Sequence, residues 1–144
     1  MFILDKVKYH LEGDYPVDVA RENVYSLGGM FLGWCIEHDL VSGSLKNDFS
    51  EEITMFLNRS SQVNDLYRVS GGVLSEGELS SVGIAFAKDY FDFDRGMYMD
   101  DFLDVLADNL PTAYHVVGTW DNYDLLKKVI DGRFDEWNTI NNSK

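Results

Sequence analysis

Residues 17–40 read VDVARENVYSLGGMFLGWCIEHDL, and this stretch decides the fold class. Val24, Leu27, Phe31 and Trp34 return at steps of three and four, the spacing that places side chains on one face of an α-helix. Gly28, Gly29 and Gly33 interrupt the same segment, and each costs a helix interior up to about 1 kcal/mol relative to alanine. Such a cost is understandable if another helix packs against that face at close range. A phosphate-cradling loop would need a preceding strand and a G-x-G-x-x-G spacing, and the segment has neither.

Working outward, further helical steps follow. After the SGS turn at residues 42–44, Phe49, Ile53, Phe56 and Leu57 recur helically, and a short segment through Val63, Leu66 and Tyr67 ends at Gly71-Gly72. Leu79, Val82, Phe86 and Tyr90 give the next apolar face, with Ser75 and Glu78 in capping-box spacing before it. DFDRGMY reads as a turn leading into an acidic helix from Met99 to Asp108. The last helix is the best defined: Thr119 is placed to cap it, Asp121 suits the positive end of its dipole, and Trp120, Tyr123, Leu126, Ile130, Phe134 and Trp137 form one stripe. Strand-like alternation is confined to Phe2–Lys8 and Ala113–Val117, which would pair as a small ribbon near the two ends of the chain. Pro16 and Pro111 stand at element boundaries. The expectation is one mainly α-helical domain over residues 1–144.

With 45% hydrophobic and 14% aromatic residues, the chain carries too much apolar material to stay disordered despite a net charge of −13. That charge repels nucleic acid and anionic membranes and attracts basic proteins. The lone Cys35 excludes an intramolecular disulfide and fits a reducing compartment. The first apolar run breaks at Asp5, no secretory signal is read, and no stretch is long enough to span a membrane. A cytoplasmic protein is expected.

Chemistry-bearing motifs are sparse. His10, His38 and His115 lack metal-ligand spacing, and Asp92-Phe93-Asp94-Arg95-Gly96 misses the ordered ligands of a calcium loop, so neither metal nor cofactor is expected. His10, Asp14 and His115 would form a general acid/base site if the fold brought them together. Cys35, between Trp34 and Ile36, reads as a buried free thiol. Seven aspartates, Asp89, Asp92, Asp94, Asp100, Asp101, Asp104 and Asp108, are concentrated in one stretch with Tyr90, Phe91, Phe93, Tyr98 and Phe102 among them. Asp101, Asp104 and Asp108 step by three and four and are expected on one helical face. Two readings compete: a solvated face that keeps the protein soluble, or a docking surface, Tyr98 included, for a basic partner.

Tyr9-His10-Leu11-Glu12-Gly13-Asp14-Tyr15-Pro16, followed by Gly29-Met30-Phe31-Leu32-Gly33-Trp34, resembles a family of small uncharacterised bacterial proteins that reads W-H-x-x-G-D-F-P and then G-M-F-L-A-W. Tyr114-His115-Val116, Thr119-Trp120-Asp121-Asn122-Tyr123 and Phe134-x-x-Trp137 are similar to its closing segment. The resemblance carries no enzymatic activity; it implies an immunity partner of a polymorphic toxin, with His10, Asp14, Trp34, His115 and Trp120 either holding the fold or forming a site. Together with the acidic stretch, it gives the leading expectation of a protein that binds a toxin with a basic surface, for which a nuclease would suit the charge, and blocks its active site or substrate access stoichiometrically. The alternatives are a small enzyme at His10, Asp14 and His115, and an acidic adaptor or oligomerisation domain.

Overall fold

The computed structural model describes residues 2–142. Among them the chain forms a two-stranded sheet, β1 (Ile3–Lys6) and β2 (Val73–Ser75), and the helices α1 (Val7–Glu12), α2 (Ser26–Glu37), α3 (Gly43–Asp48), α4 (Ser50–Leu57), α5 (Asp65–Val69), α6 (Ser81–Tyr90), α7 (Tyr98–Leu106) and α8 (Trp120–Asn142). The fold is mainly α, as the periodicity predicts. Short 3-10 turns at Arg21–Tyr25 and Ala113–His115 complete it.

The glycine-interrupted helix within residues 17–40 is the centre of the molecule. Every residue of α2 from Ser26 to Ile36 is buried, so the other elements wrap it on all sides rather than covering one stripe. Two of its glycines explain how the neighbours come so near. A Cβ on Gly28 would lie 2.6 Å from the Tyr67 ring of α5, and one on Gly33 would lie 2.3 Å from the Phe56 ring of α4. Phe31 and Trp34 stack at 6.0 Å and pack on Phe86 of α6. The helix stops at His38, where Asp39 takes a left-handed φ of 54°.

α8 lies across this core. Thr119 Oγ1 accepts from the Asn122 amide at 3.1 Å, the cap read from the sequence, and Tyr123, Leu126 and Ile130 are fully buried. Among the described residues no helix is long and apolar enough to cross a membrane.

Three local expectations change. β1 pairs antiparallel with β2, not with residues 113–117: Gly71 and Gly72, at φ 109° and 66°, turn the chain out of α5 into β2, while Thr112 caps Ala113–His115 into a 3-10 turn. Ser75 and Glu78 do not box a helix start; Ser75 Oγ donates to Glu78 across the turn after β2, and Ser80 caps α6 by accepting from the Gly83 amide at 3.1 Å. The acidic helix ends at Leu106, which leaves Asp108 beyond it.

Candidate functional site

The aspartate stretch divides according to helical phase. On α7, Tyr98, Asp101 and Phe102 face inward and are buried, whereas Asp100 and Asp104, four residues apart, are exposed. Asp101 accepts from Arg133 Nε and Nη2, both at 3.0 Å, and from the Tyr90 hydroxyl at 2.7 Å. A fork of two N–H donors plus a phenol neutralises the carboxylate and ties α6, α7 and α8 together. Burial, the hydrogen bond to Asp101 and its charge push the Tyr90 phenol pKa up. Tyr98 is fully buried and donates to the Leu27 carbonyl of α2. Asp101 and Tyr98 therefore do not belong to a docking surface, and Asp101 does not share a face with Asp104. Of the aromatic residues in this stretch, Tyr90, Phe91, Tyr98 and Phe102 are core, and Phe93 alone is exposed, at 36%.

The remaining acids play unequal parts. Asp89 accepts from the Trp137 indole at 2.7 Å. Asp92 Oδ1 accepts from the amides of Asp94 and Arg95, fixing the turn between α6 and α7. Asp94, Asp100, Asp104 and Asp108 are exposed and pair with no cation among the described residues. Half of the twelve lysines and arginines are already engaged: Lys8, Lys46, Arg59, Arg68, Lys127 and Arg133 each pair with a carboxylate.

The family-signature histidine builds a second constellation, from different partners than expected. Asp5, 3% exposed on β1, accepts from Tyr67 Oη at 2.6 Å and from His10 Nε2 at 2.6 Å. On the other side of the ring, His10 Nδ1 is hydrogen-bonded to the Tyr114 hydroxyl, 2.6 Å away. A continuous chain of hydrogen bonds, Tyr67 to Asp5 to His10 to Tyr114, thus joins α5, β1, α1 and the 3-10 turn at residue 114. Burial, followed by the charges of Asp5 and then Asp14, raises the Tyr114 pKa, so its proton is held and no tyrosinate nucleophile is produced. Burial and Asp5 raise that of Tyr67 further.

His10, Asp14 and His115 make no hydrogen bond to one another. His115 Nδ1 pairs with Thr112 within its own turn at 2.9 Å, and Asp14 is exposed. Trp34 is fully buried and its indole donates to Asp131, to which His38 also bonds. Trp120 donates to the Ser61 carbonyl at 3.1 Å beneath the Arg59 guanidinium. Among the described residues no group of three or more His, Cys, Asp or Glu side chains is placed to hold a metal ion. Cys35 is buried, which raises its thiol pKa.

The family described as "Domain of unknown function (DUF7832)" matches residues 3–116. The chain belongs to that family. No curated protein and no solved structure matches it. The matched segment contains the whole chain of hydrogen bonds from Tyr67 to Tyr114 and all of α7, while α8, which carries Trp120 and Trp137, lies outside it. Asp5 and Tyr67 escaped the sequence reading. Asp5 had a signal of its own, an acid set between Ile3-Leu4 and Val7 in an alternating stretch; Tyr67 had none beyond its helical spacing.

Proposed function

We propose that this DUF7832 member is a cytoplasmic immunity-type protein, which binds a basic toxin domain stoichiometrically and blocks its active site or substrate access without catalysis. The observation that carries the reading is the uncompensated negative charge on the outer side of α7 and its flanking turns, at Asp94, Asp100, Asp104 and Asp108, in a chain of net charge −13. Exposed carboxylates without internal partners speed encounter with a basic surface and reject acidic ones. If the toxin is a nuclease, such a surface occupies the cleft that would otherwise hold phosphate. The family resemblance to small acidic immunity proteins points the same way. The signature residues His10 and Trp34 then serve the fold, one through the Asp5 network and one through the core.

The test is capture from lysate of the native bacterium on the untagged protein at low and high salt, with retained chains identified by mass spectrometry. The expected result is one stoichiometric partner, weakened by salt, that kills cells when expressed alone and is neutralised by co-expression. A partner that is harmless alone, or the lack of any partner at both salt concentrations, overturns the reading.

A further inference from the structure

The turn at residues 92–94 and the start of the chain enclose a groove of about 240 Å3 lined by Phe2, Ile3, Leu4, Asp92, Phe93 and Asp94. Phe2, Ile3 and Phe93 stand 37%, 39% and 36% exposed along it. The walls are fixed from behind. Besides the two amides that Asp92 caps, its carbonyl accepts from the Gly96 amide at 2.7 Å, and Gly96 passes so close to Tyr90 that a Cβ would lie 1.9 Å from the Tyr90 carbonyl oxygen. The Phe2 amide donates to Glu76 at 2.9 Å, and the Phe2 ring lies 4.7 Å from Lys88 Nζ. The Phe93 ring packs on buried Phe91 at 5.0 Å and meets the His10 ring edge-on at 6.0 Å. The imidazole that Asp5 and Tyr114 hold in place is therefore also a brace behind Phe93.

Phe2, Ile3 and Phe93, with the Asp92 and Asp94 carboxylates beside them in the lining, select the occupant. A second copy of this chain would bring a net charge of −13 against Asp92 and Asp94. A basic segment instead pairs with Asp94, which has no cationic partner among the described residues, and with the second oxygen of Asp92, whose Oδ1 accepts the two turn amides. In an extended chain, residues two apart point to the same side. We propose that the groove seats an extended segment of a basic partner protein, with an apolar side chain between Phe2 and Phe93 and an arginine or lysine two residues to either side reaching Asp92 and Asp94. This inference rests on the reading of the chain as a binder of a basic protein, and it names where that partner is anchored.

The probe is a blocked heptapeptide, Gly-Arg-Ser-Leu-Ser-Arg-Gly, titrated into the isotope-labelled protein while amide chemical shifts are followed. Two control peptides replace Leu by Ser, or both Arg by Glu. The expected result is saturable shifts at residues 2–4 and 92–94 with the probe alone, weakened about tenfold by Phe93→Ser and by Asp94→Lys, the loss of one good contact. Asp104→Lys should leave the peptide affinity within about twofold, because it touches only the wider field. The same spectra report whether each variant is folded, and Asp94→Asn supplies a milder change at an exposed position. Saturable shifts confined to the Asp100 and Asp104 side overturn the groove and leave the acidic-surface reading standing. Equal binding of the Leu-to-Ser control, or no saturable binding of the probe, also overturns the groove; the toxicity and co-expression assay separately decides the immunity reading.

Discussion

On α7, Asp101 lies buried against Arg133 and Tyr90, whereas Asp100, its neighbour in the chain, and Asp104, one turn further on, stand in solvent and pair with no cation among the described residues. The inner carboxylate has its charge balanced within the molecule and fastens three helices; the outer ones add to the field that the protein presents. Asp5 is a second carboxylate of the inner kind, satisfied by His10 and Tyr67. In so acidic a chain, the number of aspartates in a stretch says little about the surface available to a partner. Helical phase decides which of them face outward.

The comparison breaks most visibly in stability. Asp101→Ala removes the acceptor of a buried ion pair and should cost about 3 kcal/mol, at the low end for such pairs because Arg133 is 30% exposed. Asp100→Ala, by contrast, should stay within about 0.5 kcal/mol of the parent. Urea unfolding of the two variants checks this, and equal losses would mean that the division into inner and outer acids is wrong. Asp5→Ala should resemble Asp101→Ala, at about 2 kcal/mol, since it leaves the Tyr67 hydroxyl and the His10 N–H without their acceptor.

Alkaline titration sharpens the same contrast. Burial and the neighbouring carboxylates raise the pKa of Tyr90 and Tyr67, and burial followed by the Glu37 hydrogen bond raises that of Tyr123. The folded state thus favours the neutral phenols. Their contribution is fully present below the unfolded value of about 10 and is lost as pH rises from there toward the folded values. Unfolding midpoints should fall above about pH 10, and most phenolate absorbance should appear together with unfolding. Phenols that all titrate near pH 10 in the still-folded protein would contradict the buried placements.

The helical class, the cap at Thr119 and the close approaches at Gly28 and Gly33 were legible because each is a local pattern with one physical meaning. The ribbon partner was not: residues 113–117 alternate and Val73-Leu74-Ser75 do not, yet the left-handed turn at Gly71-Gly72 sets residues 73–75 against β1. The site was legible only in outline. His10 stands out in the signature, but its partners come from five residues before it and 104 residues after it, and no spacing rule predicts contacts of that range. The aspartate stretch misled because Asp101, Asp104 and Asp108 keep helical spacing on paper, while the helix turns Asp101 inward and ends before Asp108.

The smallest expected effect is the most telling, because stability and association move in opposite directions. Asp104 sits in the last turn of α7, where negative charge opposes the helix dipole, and lies four residues after Asp100, a like charge on the same face. Asp104→Lys removes both penalties and creates an acid-then-base pair in the favourable order, so thermal unfolding should show a gain of about 0.5 kcal/mol. The same substitution replaces an outer carboxylate by a cation, and association with the basic partner should slow and lose part of its salt dependence. A face that served solubility alone would show the gain without the slowing. A docking face that retains Asp104 despite the local cost should show both.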